Sequence, residues 1–236
     1  MRTTVDVYTL GAEQDVRRAL FDVPLGSPTR PTWRGRLHVI ALIVVTPLLA
    51  LMATGVEGDR NRVGVIVYAA GLCSMLAVSA AYHRWVHTIR ARTVWRRLDH
   101  AMIFAAIAGT CTPLALVLLE PAAAVVAIVA TWSAALVGAG IKITGWRRGG
   151  AVGTAMYITN SWAGLILVPS LWQHSGPVPV ILLCAGGLIY TLGAVGFRRH
   201  WPKLRESVFS YHEVWHLCTL AAAGAHLAAV WIVVSA

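Results

Sequence analysis

Residues 98–119 read LDHAMIFAAIAGTCTPLALVLL. No residue from Ala101 to Leu119 carries a charge. Coiled as an α-helix, the stretch rises about 30 Å, the thickness of a bilayer's hydrocarbon core. Its apolar residues come in runs instead of alternating with polar ones, which argues against a β-barrel strand. It closes on Glu120-Pro121, a tight turn in which Pro121 suits the first position of a following helix. It opens on an aspartate and a histidine, groups that are costly at a membrane boundary.

The same pattern recurs on both sides. The first span is expected from about His38 to Thr54, the second from Arg62 to His83, and the third from Leu98 to Leu119. The fourth follows Pro121 to about Ile143, and the fifth covers roughly Val152 to Trp172. Gly176, Pro177 and Pro179 break the chain before the sixth, which ends near Phe197. The seventh runs from Tyr211 to Val234. Pro47, Pro113 and Pro169 fall inside spans and are expected to mark kinks. The composition agrees: 57% of the chain is hydrophobic and 13% charged, about half the charged fraction of a soluble domain. Cys73, Cys111, Cys184 and Cys218 each lie in an apolar span without a CxxC pairing and read as small hydrophobes.

The net charge of +10 does not indicate nucleic acid, because no basic face with interleaved aromatics accompanies it. Eighteen of the twenty Lys and Arg fall in residues 1–37 and in the segments after spans two, four and six. Only Arg60 and Arg62 fall on the other side. By the positive-inside rule the N-terminus is cytoplasmic and the C-terminus external. That result requires an odd number of spans and supports seven. The expectation is an all-α integral membrane seven-helix bundle. Residues 1–36 form a cytoplasmic N-terminal segment without a signal-peptide pattern, and residues 37–236 form the transmembrane domain.

Polar residues concentrate at three places. Ser79 and His83 share a face at the end of the second span. Asp99 and His100 open the third. His212 and His216, four residues apart on one helix face, open the seventh. Given the orientation, all three clusters lie at the cytoplasmic ends of their spans. Three imidazoles and a carboxylate at one depth suit a tetrahedral zinc site with one position left for water, the pattern of catalytic zinc; neutral imidazole also suits other divalent metals. The run HEVWH at 212–216 also fits H-E-x-x-H, in which Glu213 would act as a general base. His226 lies about 15 Å further along the helix and is expected to line the same cavity or to bond a neighbour. His38, His87, His174 and His200 read as interfacial.

The chain resembles the hemolysin III family, the bacterial branch of the progestin and adipoQ receptor proteins. The resemblance rests on Arg34-Gly35-Arg36-Leu37-His38, on the S-x-x-x-H from Ser79 to His83, and on LDHAMIFAAIAGTCTPLAL from Leu98. It rests also on GGLIYTLGAVGF from Gly186 and HEVWHLCTLAAAGAH from His212. It implies a multi-pass protein of the bacterial plasma membrane with Zn2+ near the cytoplasmic face, held by His83, His212 and His216. It implies that Asp99 hydrogen-bonds a zinc-bound water and that Ser79 lies close to the metal. The wider superfamily includes the zinc-dependent alkaline ceramidases.

The expected function is therefore a zinc-dependent hydrolase of lipid amide or ester bonds, linked to membrane lipid homeostasis. Asp99 would orient and deprotonate the water, Ser79 would donate to the oxyanion, and a membrane lipid would be substrate or ligand. Small residues on spans three and five to seven would permit close helix packing. Two readings stand beside it. One is a non-enzymatic membrane sensor with structural zinc. The other is a pore-forming cytolysin, which a resident membrane protein fits poorly.

Overall fold

The computed structural model describes residues 31–86, 89–145 and 149–236. Most of the expected cytoplasmic segment 1–36, together with His87, Arg147 and Arg148, lies outside the described residues. Among the described residues the regular structure is entirely helical. The helices are α1 (Arg36–Gly55), α2 (Asp59–Trp85), α3 (Ile89–Leu118), α4 (Pro121–Thr144), α5 (Gly149–Trp162), α6 (Val168–Ser175), α7 (Pro177–Arg198) and α8 (Tyr211–Val234). Six of them are long and apolar enough to cross a membrane: α1, α2, α3, α4, α7 and α8.

The remaining crossing, the fifth, is composite. α5 passes into a 3-10 turn at Ala163–Leu167 and then into α6. Irregular backbone at membrane depth is tolerated where it lines a cavity or is buried in protein, and Gly164 and Leu165 do line the central cavity. Pro169 therefore stands in the first turn of a new helix, where its missing N–H costs nothing; the expectation of a kink within one continuous helix is corrected. Pro47 and Pro113 do sit inside α1 and α3. α3 also begins nine residues ahead of Leu98. The segment from Ile89 to Arg97 is too polar for hydrocarbon but carries good helix formers. Arg97 from this extension donates to the Ile143 carbonyl at the end of α4, at 3.1 Å. At the opposite end of the bundle Arg60 donates to the Leu119 carbonyl, also at 3.1 Å.

Large apolar side chains face outward all round the bundle: Ile43, Val126, Leu136, Ile166 and Leu192 are each more than two-thirds exposed. That surface is the lipid-facing one of a multi-pass membrane protein. Without a hydrophobic force between helices in lipid, association depends on close packing through small residues. Gly71 on α2 faces the backbone of α3 so closely that a Cβ there would lie 2.7 Å from the Ala105 carbonyl oxygen. A Cβ on Gly138 of α4 would run into the Phe104 ring of α3. On α7, a Cβ at Gly193 would lie 2.6 Å from that of Cys218 on α8. The four cysteines are free and half-buried.

The connection is antiparallel, so the C-terminal end of α2 and the N-terminal parts of α3 and α8 meet at one end of the bundle. The basic residues assign that end to the cytoplasm.

Candidate metal centre

His83 lies in the last turn of α2, and His212 and His216 occupy the first two turns of α8. All three are buried, and their nitrogens lie within 4.8 Å of one another. The Nε2 atoms of His83 and His212 are 3.3 Å apart. Two nitrogens bound tetrahedrally at about 2.05 Å from one ion are separated by roughly 3.3 Å. The spacing and the purely imidazole donor set fit a divalent cation.

α8 starts where it does because of a capping box. The Ser210 N–H donates to Glu213 Oε2 at 2.7 Å, and the Ser210 hydroxyl donates to the same oxygen at 2.5 Å. In return Ser210 Oγ accepts from the His212 N–H at 3.4 Å. The other oxygen of Glu213 receives Arg34 Nε in an ion pair whose members are 3% and 1% exposed. Glu213 is thus committed on both oxygens to holding the helix start and the chain ahead of α1. The metalloprotease alternative, with Glu213 as base, loses its base. The signal was present in the sequence: Ser210-Tyr211-His212-Glu213 is an S-x-x-E capping pattern overlapping HEVWH.

Asp99 lies within α3 with Oδ2 3.9 Å from His83 Nε2 and 3.7 Å from His100 Nδ1. His100 Nδ1 is 2.7 Å from the Arg96 carbonyl, which turns that ring toward its own helix. Ser79 is buried one turn before His83. Asp99, Ser79, His212 and His216 all line a cavity of about 360 Å³. From the imidazole end it continues between the helices past Leu72, Leu114, Leu183 and Val168, so its body is apolar. His226 lines it farther along, with Nε2 3.3 Å from the Leu183 carbonyl.

One histidine read as interfacial is not. His38 is 3% exposed, lines the same cavity and lies flat against His216, ring centroids 4.1 Å apart and planes 4° from parallel. Apolar patterning could not reveal it, because the first turn of α1 reads as a membrane boundary; the RGRLH segment was the one sequence signal at this position.

The lead-in to α1 closes this end of the site. The Thr32 and Trp33 N–H groups donate to the carbonyls of Ser207 and Val208, each at 3.1 Å. Gly35, at φ +75°, then carries the chain past His83; a Cβ there would lie 2.7 Å from the His83 Cβ. The positive φ and the close approach both require glycine.

A family model described as "Haemolysin-III related" matches residues 27–227. The chain is 28% identical to "Hemolysin-3" of Bacillus cereus over 186 residues, 78% of this chain and 82% of that protein. It is 25% identical to the "Hemolysin-3 homolog" of Bacillus subtilis (strain 168) over 191 residues, covering 80% and 86%. It is also 29% identical to the human "Monocyte to macrophage differentiation factor" over 181 residues, covering 72% and 70%. A bundle of apolar helices, a triple-histidine centre at one end and a match running from the lead-in of α1 to the last helix agree on one conclusion: the chain belongs to the haemolysin-III-related family.

Proposed function

We propose that the protein is a zinc-dependent hydrolase acting on an amide or ester bond of a membrane lipid. The observation that carries this reading is the convergence of His83, His212 and His216, the last two of which line an apolar cavity together with Asp99. Zinc is favoured among divalent ions because three neutral imidazoles leave a tetrahedral ion one open position. When bound, it supplies Lewis-acid polarisation of a carbonyl and a water acidic near neutral pH.

The chain's own residues do the rest. The apolar walls at Leu72, Leu114 and Leu183 take the acyl chain and exclude bulk water. Asp99 stands beside the imidazole cluster, where it orients the attacking water and takes its proton. Ser79 faces the same space and offers a hydroxyl to the carbonyl oxygen as negative charge develops there. Glu213 and Arg34, paired with each other, fix the start of α8 and so the aim of two ligands.

The test is metal analysis and lipid turnover on the purified protein in lipid nanodiscs. About one zinc per chain is expected, lost in His83→Ala, His212→Ala and His216→Ala. Comparing the lipids of cells with the wild-type protein and with His212→Ala identifies the substrate. Full zinc occupancy in all three variants would remove the site. Zinc-loaded protein that binds lipid but never cleaves it would make the molecule a sensor.

A further inference from the structure

Among the described residues His38 is not one of the three clustered imidazoles, yet its contacts are specific. Its ring is stacked on His216, and its Nε2 lies 3.4 Å from the hydroxyl of Thr219. That hydroxyl already spends its proton on the His216 carbonyl, at 2.8 Å. Oγ1 can then only accept, so the proton between the two residues sits on His38 Nε2. The result is a closed loop. His38 donates to Thr219, Thr219 donates to the backbone of His216, and the His216 ring lies against His38. Nδ1 of His38 is left buried without a hydrogen-bond partner among the described residues, a cost that a phenyl ring would not carry. An imidazole at this position is therefore explained by its Nε2–H and its flat face together.

His216 is the member of the cluster whose ring His38 touches. Its ring is tilted 57° from that of His212 and 60° from that of His83, and a rotation of its side chain would carry its nitrogen away from the other two. The stack on His38 opposes that rotation. His38 is itself held by the lead-in to α1, through Gly35 packed on His83 and Arg34 paired with Glu213.

We propose that His38 is a positioning residue for the metal centre: it fixes the ring plane of ligand His216 by stacking, with Thr219 as the anchor of its other edge. The inference rests on the metal reading given above. Partners that orient a metal-bound histidine change metal affinity by about 10–100-fold when removed.

The test uses full-length protein in nanodiscs, titrated with Co2+ and followed by its visible d–d absorption, with Zn2+ competition for affinity. His38→Ala is expected to bind about 10–100-fold more weakly, with a shifted cobalt spectrum. His38→Phe keeps the stack and is expected to recover most of the affinity and the wild-type band positions. Thr219→Val, which leaves both rings but removes the anchor that His38→Phe also lacks, is expected to bind about as well as His38→Phe, between His38→Ala and wild type. Should His38→Ala not fold, the Phe and Val variants still decide. Wild-type affinity and spectrum in His38→Ala, or a His38→Phe protein as weak as an unoriented site, overturns the proposal while leaving the centre standing. A wild-type protein that takes up no metal overturns both readings.

Discussion

Asp99 and Glu213 both lie near the imidazole cluster, and their surroundings are opposite. Glu213 has each oxygen engaged, one by Arg34 and one by Ser210. Asp99 stands 3.9 Å from His83 Nε2 and lines the cavity. On the proposed function, Asp99→Asn should keep much of the zinc and lose lipid turnover by about 10–100-fold, measured as metal content and product release on one preparation. Glu213→Gln should leave the three imidazoles in place but remove the negative charge from a buried ion pair with Arg34. Breaking a buried pair in this way costs roughly 3–5 kcal/mol, to be read as a lower thermal midpoint. If Glu213→Gln melts like wild type yet is inactive, and Asp99→Asn is active, the proton acceptor has been misassigned. The sequence disclosed Asp99, His83, His212 and His216 because each is a polar intrusion into an apolar run. It did not disclose the pairing of Arg34 with Glu213, since 179 residues separate them and each reads as an ordinary polar residue beside a span.

At the scale of elements, the distance between α2 and α3 sets the relation of His83 to Asp99, and that distance depends on Gly71. A methyl there meets backbone, at the Ala105 carbonyl, and backbone cannot rotate aside. Gly71→Ala should cost about 1–3 kcal/mol and weaken metal binding, because the two helices that carry His83 and Asp99 are pushed apart. Gly224 on α8 supplies the control, since nothing lies within 4 Å of a Cβ there. Gly224→Ala should leave metal affinity unchanged and gain up to about 1 kcal/mol from helix propensity. Equal effects at both positions would show that the contact at Gly71 is not what matters. The existence and order of the crossings were legible because hydropathy and breakers mark them. The 3-10 turn at Ala163–Leu167 was not, since AGLIL has the composition of any apolar helix and its break is set by the cavity it lines. The polar start of α3 was missed for the opposite reason: hydropathy reports the hydrocarbon layer, while the helix continues into the aqueous phase.

At the scale of the molecule, the bundle has a basic end and a nearly neutral one, and the imidazole cluster lies at the basic end. Reporter fusions should find residue 1 on the cytoplasmic side and residue 236 on the external side; both termini on one side would break the seven-crossing topology. The loop that carries Ser207 and Val208 and pairs with Thr32 and Trp33 has a consequence for biogenesis. A ribosome delivers α1, α2 and α3 to the bilayer long before α8. Until then the chain owns one imidazole of the cluster, Arg34 lacks Glu213, and the segment ahead of α1 lacks the carbonyls of Ser207 and Val208. The three imidazoles therefore come together only when α8 is in place, and a polypeptide truncated at Trp201 should insert, take up no metal in the test above and present a lead-in stripped of its α8-side contacts to the cell's membrane proteases.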